Sequence, residues 1–282
     1  MSQTLSVSEY RATFKLDGEG WAAYDQDCAL LQLGMPTSRS IVLWFVARRG
    51  ERPELEVSIQ ARRLAGVESK PLATQEERTQ LTEQGPIRIE IFGLAPDTTY
   101  EVKVSFEESG TSSHQSLLAT TAPAGDVPKA FSFLTASCCQ PYAGGNDECF
   151  ITQQTTHVLE LFRRRAAGTS TERPAFALGL GDQVYVDVGS RAMLRGWRSQ
   201  EPRYAPGDAE PFFETAYRST FSLTPLHAAR QTLPSAMMWD DHEIRDGWGA
   251  QGDENSEHRG QSRWHDHLRA ARQHFVSWQA FR

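Results

Sequence analysis

The stretch Leu233–Glu243, LPSAMMWDDHE, is an apolar run that ends in acidic residues around a histidine. Upstream, Gly181–Tyr185 reads GDQVY and also follows an apolar segment. Each cluster is therefore predicted to lie at the end of a strand. Clustered carboxylates are tolerated near each other only if a cation joins them, and aspartates can bridge hard cations. The two clusters together predict a polynuclear metal site in a metal-dependent hydrolase.

Strands alternate with helices in the half of the chain that carries these clusters. Apolar runs predict strands over Phe131–Ser137, Ala175–Leu180 and Leu233–Trp239. Helical spacing places Ile151, Val158, Leu159 and Phe162 on one face, and a further helix is predicted over Pro211–Phe221. This alternation predicts an α/β layered domain that binds ligands at the carboxyl ends of its strands.

The preceding half of the chain has the pattern of β-strands. Apolar residues form a continuous run over Ile41–Val46 and alternate with polar ones through Leu55–Ile59, Ile87–Ile91 and Tyr100–Phe106. The segment Leu94–Val104 contains the L-x-P-x-T-x-Y spacing, which resembles the tyrosine corner of a fibronectin type III-like sandwich. Any other antiparallel sandwich with a buried tyrosine remains an alternative.

The stretch Thr120–Lys129, which is rich in proline, glycine, alanine and threonine, separates the two patterns. Such a composition is typical of a domain boundary. The chain is therefore predicted to be an α+β protein of two domains. Residues 1–125 are expected to form an antiparallel β-sandwich, and residues 126–282 an α/β layered domain.

Composition and charge exclude several classes of protein. With 39% hydrophobic and 23% charged residues the sequence is that of a globular chain. A net charge of -7 argues against a nucleic-acid-binding surface, which needs clustered basic residues. No apolar segment approaches the roughly 20 residues that span a bilayer. Because Met1–Glu19 carries no export signal, the sequence predicts a cytoplasmic protein without a membrane partner, and it does not indicate the oligomeric state.

Three blocks in a fixed order carry a more specific resemblance. They are FSFLTASCCQPY (Phe131–Tyr142), LGLGDQVYVD (Leu178–Asp187) and MMWDDHEIRDGWG (Met237–Gly249), and each follows or ends a predicted strand. In this order they resemble the PhoD-like alkaline phosphatases, a branch of the calcineurin-like metallophosphoesterases. The resemblance implies a metallophosphoesterase fold for the second domain and the hydrolysis of a small phosphate-ester substrate, either a monoester or a diester.

The resemblance also implies a set of metal ligands. Cys138, Asp182 and Tyr185 are expected to bind Fe(III), with Asp182 as the bridging carboxylate, and Asp241 is expected to bind Ca(II) or another divalent ion. A thiolate and a phenolate on one cation favour a trivalent metal, because a phenol whose usual pKa is about 10 must lose its proton to ligate well. Alignment from Phe131 favours Cys138 as the sulfur ligand, whereas counting back from Gln140 favours Cys139.

His242, Asp182 and Asp241 are the expected catalytic residues. A metal-activated hydroxide is expected to attack phosphorus in line, while His242 donates to the phosphoryl or leaving-group oxygen. The alternative is a binding module, in which the β-sandwich makes the contacts and the second domain is an inactive remnant. Buried carboxylates without a cation repel each other, so their presence favours the enzyme.

Relatives in this family continue to a late Gly-Asp-x-His-like block that supplies further ligands, whereas this sequence ends at Arg282. The resemblance therefore implies a domain truncated at its C-terminus, with weak or absent phosphatase activity if this chain is the whole polypeptide. Relatives are also commonly exported, in contrast to the cytoplasmic prediction.

Several other polar residues receive more ordinary interpretations. Asp187 is expected either to reach the metals or to open the following loop. Supporting roles around the site are expected for Glu243, Arg245 and Asp246, with contact to the substrate phosphate as the alternative for Arg245. Four histidines resemble a metal cluster but are predicted to be solvated: His258, His265, His267 and His274. His265 and His267 are two residues apart on a helix that is expected to begin at Ser262, so they do not share a face. The buried stripe of that helix is expected to be Leu268, Phe275 and Trp278.

Overall fold

The structure of the protein is a computed structural model that describes twelve ranges of the chain. They are residues 14–16, 29–46, 57–63, 86–108, 111–125, 130–140, 142–145, 148–151, 161–167, 173–186, 209–248 and 262–280. Leu55, Val158, Leu159, Asp187 and His258, and the centre of the predicted domain boundary, lie outside these ranges.

Alternating apolar residues build the first half of the chain into two facing sheets. The strands of these sheets are β2 (Leu30–Leu33), β3 (Ser40–Val46), β4 (Val57–Arg63), β5 (Ile87–Phe92), β6 (Thr99–Glu108) and β7 (Thr111–Thr120), and a short strand β1 (Phe14–Leu16) precedes them outside both sheets. One antiparallel sheet has the order β2-β3-β5 and the other the order β4-β6-β7. Apolar side chains from both sheets form one core, which confirms the predicted antiparallel sandwich.

The predicted tyrosine corner is present at the start of β6. Tyr100 is fully buried, and its hydroxyl oxygen accepts a hydrogen bond of 2.8 Å from the Ala95 amide. The Thr98 hydroxyl donates to the Pro96 carbonyl at 2.8 Å, which closes the turn. The chain passes from one sheet to the other between β3 and β4, returns for β5, and then crosses again to β6 and β7. Such an exchange of strands between sheets is typical of immunoglobulin-like sandwiches.

The second half of the chain contains a small parallel sheet covered by helices. Its elements are β8 (Leu134–Ala136), β9 (Tyr142–Gly145), β10 (Glu148–Ile151), β11 (Ala177–Leu180), α1 (Ala209–Phe221), α2 (Thr224–Thr232), β12 (Ser235–Met238), a 3₁₀ turn (Asp241–Glu243) and α3 (Ser262–Trp278). The parallel sheet has the order β12-β11-β8, as the alternation of strands and helices predicts. β1 pairs with β10, and β10 with β9, in a separate three-stranded sheet.

Two predictions for this half need correction. Ile151 is the last residue of β10 rather than part of a helix, and the helical residues in this region are 161–166. The helix α2 was not predicted, although Pro225 near its first turn is a typical signal for the start of a helix.

Strand β3 joins the two halves because it is buried on both faces. Ile41, Leu43 and Phe45 point into the sandwich core. Trp44 lies in a second core with residues of α1 and α3, including Trp278, whose ring is 4.7 Å from the Trp44 ring. The indole N–H of Trp44 donates to the Ser277 carbonyl at 2.7 Å. The continuous apolar run in the sequence therefore reflects burial from two sides.

Helix α3 buries a different face from the one predicted. His267 and His274 are buried, whereas Leu268 and Phe275 are partly exposed, so the prediction that these two histidines are solvated is wrong. Each buried ring is within 2.9 Å of a carbonyl oxygen, Ile244 for His267 and Ala270 for His274. Small alanines between them let the helix pack closely on α1.

No helix within the described ranges combines the length and the apolar character that crossing a membrane requires.

Trp44→Ala should destabilise the protein by about 3–5 kcal/mol, because it leaves a cavity between the sandwich and the helices. Phe92→Ala is the matched control, since Phe92 ends the neighbouring strand β5 and is 62% exposed. The control should change stability by less than about 0.5 kcal/mol. Denaturant unfolding measures both values, and a similar cost for the two variants would show that Trp44 does not join the halves.

Candidate metal centre

The three predicted motifs meet at one edge of the parallel sheet. Strands β8, β11 and β12 run in the same direction, so their carboxyl ends lie side by side. Cys138 follows β8, Asp182 follows β11, and the 3₁₀ turn that begins at Asp241 follows β12. Because β11 is the central strand, Asp182 lies between the other two segments.

Hydrogen bonds between backbones join the first two segments. The Cys138 amide donates to the Gly181 carbonyl at 3.3 Å, and the Cys139 amide donates to the Asp182 carbonyl at 2.9 Å. Cys138 and Asp182 both have a positive backbone φ angle, of 53° and 54°, which residues other than glycine rarely adopt. Such strained residues occur mainly at functional sites, where the surrounding structure holds them in place.

Gly181 allows the second and third segments to approach each other. Its φ is +89°, and a β-carbon added to it would lie 2.6 Å from the Asp240 β-carbon. Atoms at this distance overlap, so a larger residue would force Asp240 away. The glycine of the GDQVY motif therefore has a steric role that its sequence context alone does not reveal.

The carboxylate of Glu243 joins the second and third segments to each other and to the end of α3. It is fully buried and accepts hydrogen bonds from four backbone amides and one side-chain amide. The donors are the backbone amides of Asp182 (3.1 Å), Gln183 (2.6 Å), Val184 (3.2 Å) and Asp240 (2.9 Å), and the side chain of Gln279 (3.2 Å). Burial raises the pKa of Glu243 although these hydrogen bonds oppose the shift. Glu243 therefore has a supporting role at the site, because it fixes the backbone that carries Asp182 and Asp240.

Asp182 is the centre of the site. Its Oδ2 atom lies 3.3 Å from the Cys138 sulfur and 3.4 Å from the Tyr185 hydroxyl oxygen. Its Oδ1 atom accepts a hydrogen bond of 3.3 Å from the His242 amide. Potential ligand atoms of Asp182, Asp241 and His242 all lie within 4.8 Å of one another. The structure thus brings together all five residues that the sequence nominated.

Tyr185 and His242 are packed against each other. Their ring centroids are 4.1 Å apart, and Tyr185 is buried. Burial, followed by the Asp182 carboxylate, raises the pKa of Tyr185 above its usual range. The Nε2 atom of His242 lies 4.0 Å from the Asp246 carboxylate oxygen Oδ1.

The spacing of these donors fits a metal ion. Ligand atoms that are each about 2.0–2.3 Å from a common cation lie roughly 3.0–3.6 Å from one another. The distances from Asp182 Oδ2 to the Cys138 sulfur and to the Tyr185 oxygen, 3.3 and 3.4 Å, fall in this range. A thiolate, a phenolate and a carboxylate also carry three negative charges, which a trivalent cation would balance.

The two adjacent cysteines lie in different environments. Cys138 is exposed at the edge and approaches Asp182, whereas Cys139 is half-buried. Both line a cavity that also contains Arg230. Burial raises the pKa of the Cys139 thiol. Arg245, another expected supporting residue, is buried near the Trp248 ring, with its guanidinium carbon 5.4 Å from the ring centroid.

Comparison with known proteins identifies a family and a fold. The family described as PhoD-like phosphatase matches residues 133–282. A solved structure titled "Structure of PhoD" is 19% identical, with a TM-score of 0.61, and the match covers 95% of this chain and 48% of that one. The chain thus spans about half the length of that structure, and at this identity the likeness shows the fold alone.

A second solved structure resembles part of the chain. It is a fibronectin type III domain derived from the human KIAA0970 protein, 18% identical, with a TM-score of 0.24, and the match covers 46% of this chain and 92% of that domain. A search of curated proteins found no match.

Gly181→Ala should disrupt the site, because the new methyl group meets Asp240. Gly93→Ala is the matched control, since Gly93 has a φ of +76° and nothing within 4 Å of an added β-carbon. The control should cost only the backbone strain, about 1 kcal/mol. Gly181→Ala should cost at least about 2 kcal/mol more and lower metal binding. If thermal unfolding showed the same loss of stability for Gly181→Ala and Gly93→Ala, and both variants bound the same amount of metal, the steric role of Gly181 would be contradicted.

Glu243→Gln should destabilise the protein by about 3 kcal/mol, because the amide group of glutamine would face backbone N–H donors that the carboxylate now satisfies. Asp246→Asn makes the same chemical change at an exposed position three residues along the chain and should be nearly neutral for stability. Denaturant unfolding and elemental analysis of bound metal give the readouts. If Glu243→Gln were as stable as the wild type, the carboxylate would not organise the loops.

Proposed function

The chain belongs to the PhoD-like phosphatase family, and from this premise we propose that it is a metal-dependent hydrolase of phosphate esters. The observation that supports the proposal is the convergence of Cys138, Asp182, Tyr185, Asp241 and His242 at the strand ends of one sheet. The proposed substrate is a small phosphate monoester or diester.

Cys138, Asp182 and Tyr185 are the proposed ligands of a ferric ion, and Asp241 is the proposed ligand of a calcium ion, with Asp182 between the two. The Cys138 thiol and the Tyr185 hydroxyl approach the same Asp182 oxygen. A cation at this point would replace their two protons and hold the same three atoms together. When bound, the two ions supply Lewis acidity at the phosphoryl oxygens and lower the pKa of water.

His242 is the proposed donor to the phosphoryl or leaving-group oxygen. Its backbone is fixed by the hydrogen bond to Asp182, and its ring is held against Tyr185, so the imidazole is oriented before a substrate arrives. The Asp246 carboxylate, 4.0 Å from Nε2, complements a positive charge on the ring. A proton on this ring can stabilise the oxygen that becomes negative as the ester bond breaks.

Two measurements on the purified chain test the proposal. Elemental analysis reports the bound metals, and hydrolysis of p-nitrophenyl phosphate reports the activity. We expect iron and calcium to be bound, and we expect chelation to abolish any turnover. A chain that binds neither ion under metal-replete conditions would contradict the proposal.

Tyr185→Phe should remove the tyrosinate part of a visible absorption band of the iron-loaded protein, because only a deprotonated phenol bound to iron gives such a band. Tyr100→Phe is the control with the same chemical change in the sandwich core, and it should leave the band unchanged. A colourless wild-type protein at full iron occupancy would refute the assignment of Tyr185 and Cys138 as iron ligands.

A further inference from the structure

A cavity of about 260 Å³ lies beneath the parallel sheet, next to the candidate metal centre. The sheet contributes small residues to its wall, including Ala136, Ala177 and Gly179, and this leaves space under α2. The loop residues Cys138 and Cys139 close the end nearest the metal centre. The wall is mainly apolar, with Arg230 of α2 as its charged member among the described residues.

Arg230 is buried without an anionic partner. It is 4% exposed, and its guanidinium group contacts the Met237 sulfur at 2.8 Å and the Phe221 ring at 4.0 Å from carbon to centroid. Neither neighbour carries a charge, and a thioether is a weak acceptor. The Cys139 thiol also interacts electrostatically with Arg230, but burial raises the pKa of that thiol and so favours its neutral form. No carboxylate in the described part of the chain forms an ion pair with Arg230.

The protein groups around Arg230 compensate its positive charge only in part. Burial lowers the pKa of Arg230 to about 9, which leaves the group cationic at neutral pH. Arg230 lies in the last turn of α2, where the helix dipole favours a cation. The stacking on Phe221 adds a cation–π contact. A buried cation that still has free N–H donors beside an open cavity is, however, satisfied best by an anion.

We propose that this cavity is an oxyanion-binding site in which Arg230 holds a phosphoryl group. Its planar guanidinium can donate two parallel hydrogen bonds to such a group, and the apolar wall can accept a small organic body attached to it. The cavity adjoins the metal centre, because Cys138 lines it and also approaches Asp182. Anion binding there rests on the buried charge of Arg230 and not on the proposed hydrolase function.

Titration calorimetry with inorganic phosphate, on the full chain with its metals, tests the inference. Arg230→Gln should weaken phosphate binding at least about tenfold, since it removes a charge-assisted hydrogen bond. Arg230→Lys should keep part of the affinity, and it replaces Arg230→Gln if the glutamine variant does not fold. Arg269→Gln removes an exposed arginine from α3 and should leave the affinity unchanged.

Asp182→Ala separates this site from the metal centre, because it removes the carboxylate that contacts Cys138, Tyr185 and His242. Phosphate binding that survives Asp182→Ala and is lost in Arg230→Gln supports the inference, even if the chain proves to have no hydrolase activity. Phosphate binding that is unaffected by either Arg230 variant, or absent from the wild type, overturns it. Phenylphosphonate in place of phosphate identifies the source of the group: tighter binding of phenylphosphonate indicates an organic ligand, and tighter binding of phosphate indicates the free ion.

Discussion

The buried carboxylate of Glu243 is the constraint on which the rest of the site depends. Backbone amides at a strand end have no partner in the sheet, and here four of them donate to one side chain. Its charge is tolerated because the donors surround it, and each donor is satisfied only while Glu243 stays in place. This mutual dependence fixes Asp182 relative to Asp240, and so fixes the positions of the acidic groups that face the candidate metals.

The same carboxylate connects the site to the β-sandwich. Gln279, at the end of α3, donates to Glu243, and two residues earlier the Ser277 carbonyl accepts from Trp44 of the sandwich. Burial of Trp44 and Trp278 in one core makes this end of α3 a rigid link between the halves. The sandwich is therefore part of the support of the site and does not behave as an appended module. A binding module alone would not require this shared core.

Periodicity and strand-end position predicted much of this arrangement, whereas contacts between distant segments were not predictable. The motif around Asp182 and the motif around Asp241 each follow an apolar strand, and parallel strands bring such ends together. The tyrosine corner at Tyr100 was predictable because one local turn forms it. In contrast, the burial of His267 depends on which face of α3 meets α1, and the bond from Gln279 to Glu243 spans 36 residues. Nothing in the local sequence indicates either contact.

The neighbouring cysteines show how one loop can serve two chemical environments. Cys138 has a positive φ of 53°, so the loop is not extended here, and both cysteines line the cavity that contains Arg230. Cys138 also approaches the carboxylate of Asp182, whereas the more buried Cys139 interacts electrostatically with Arg230. The Asp182 carboxylate attracts cations, and the buried guanidinium of Arg230 attracts anions. The loop thus lies between groups of opposite charge, and an anion held by Arg230 and metal ions held by Asp182 would contact different side chains.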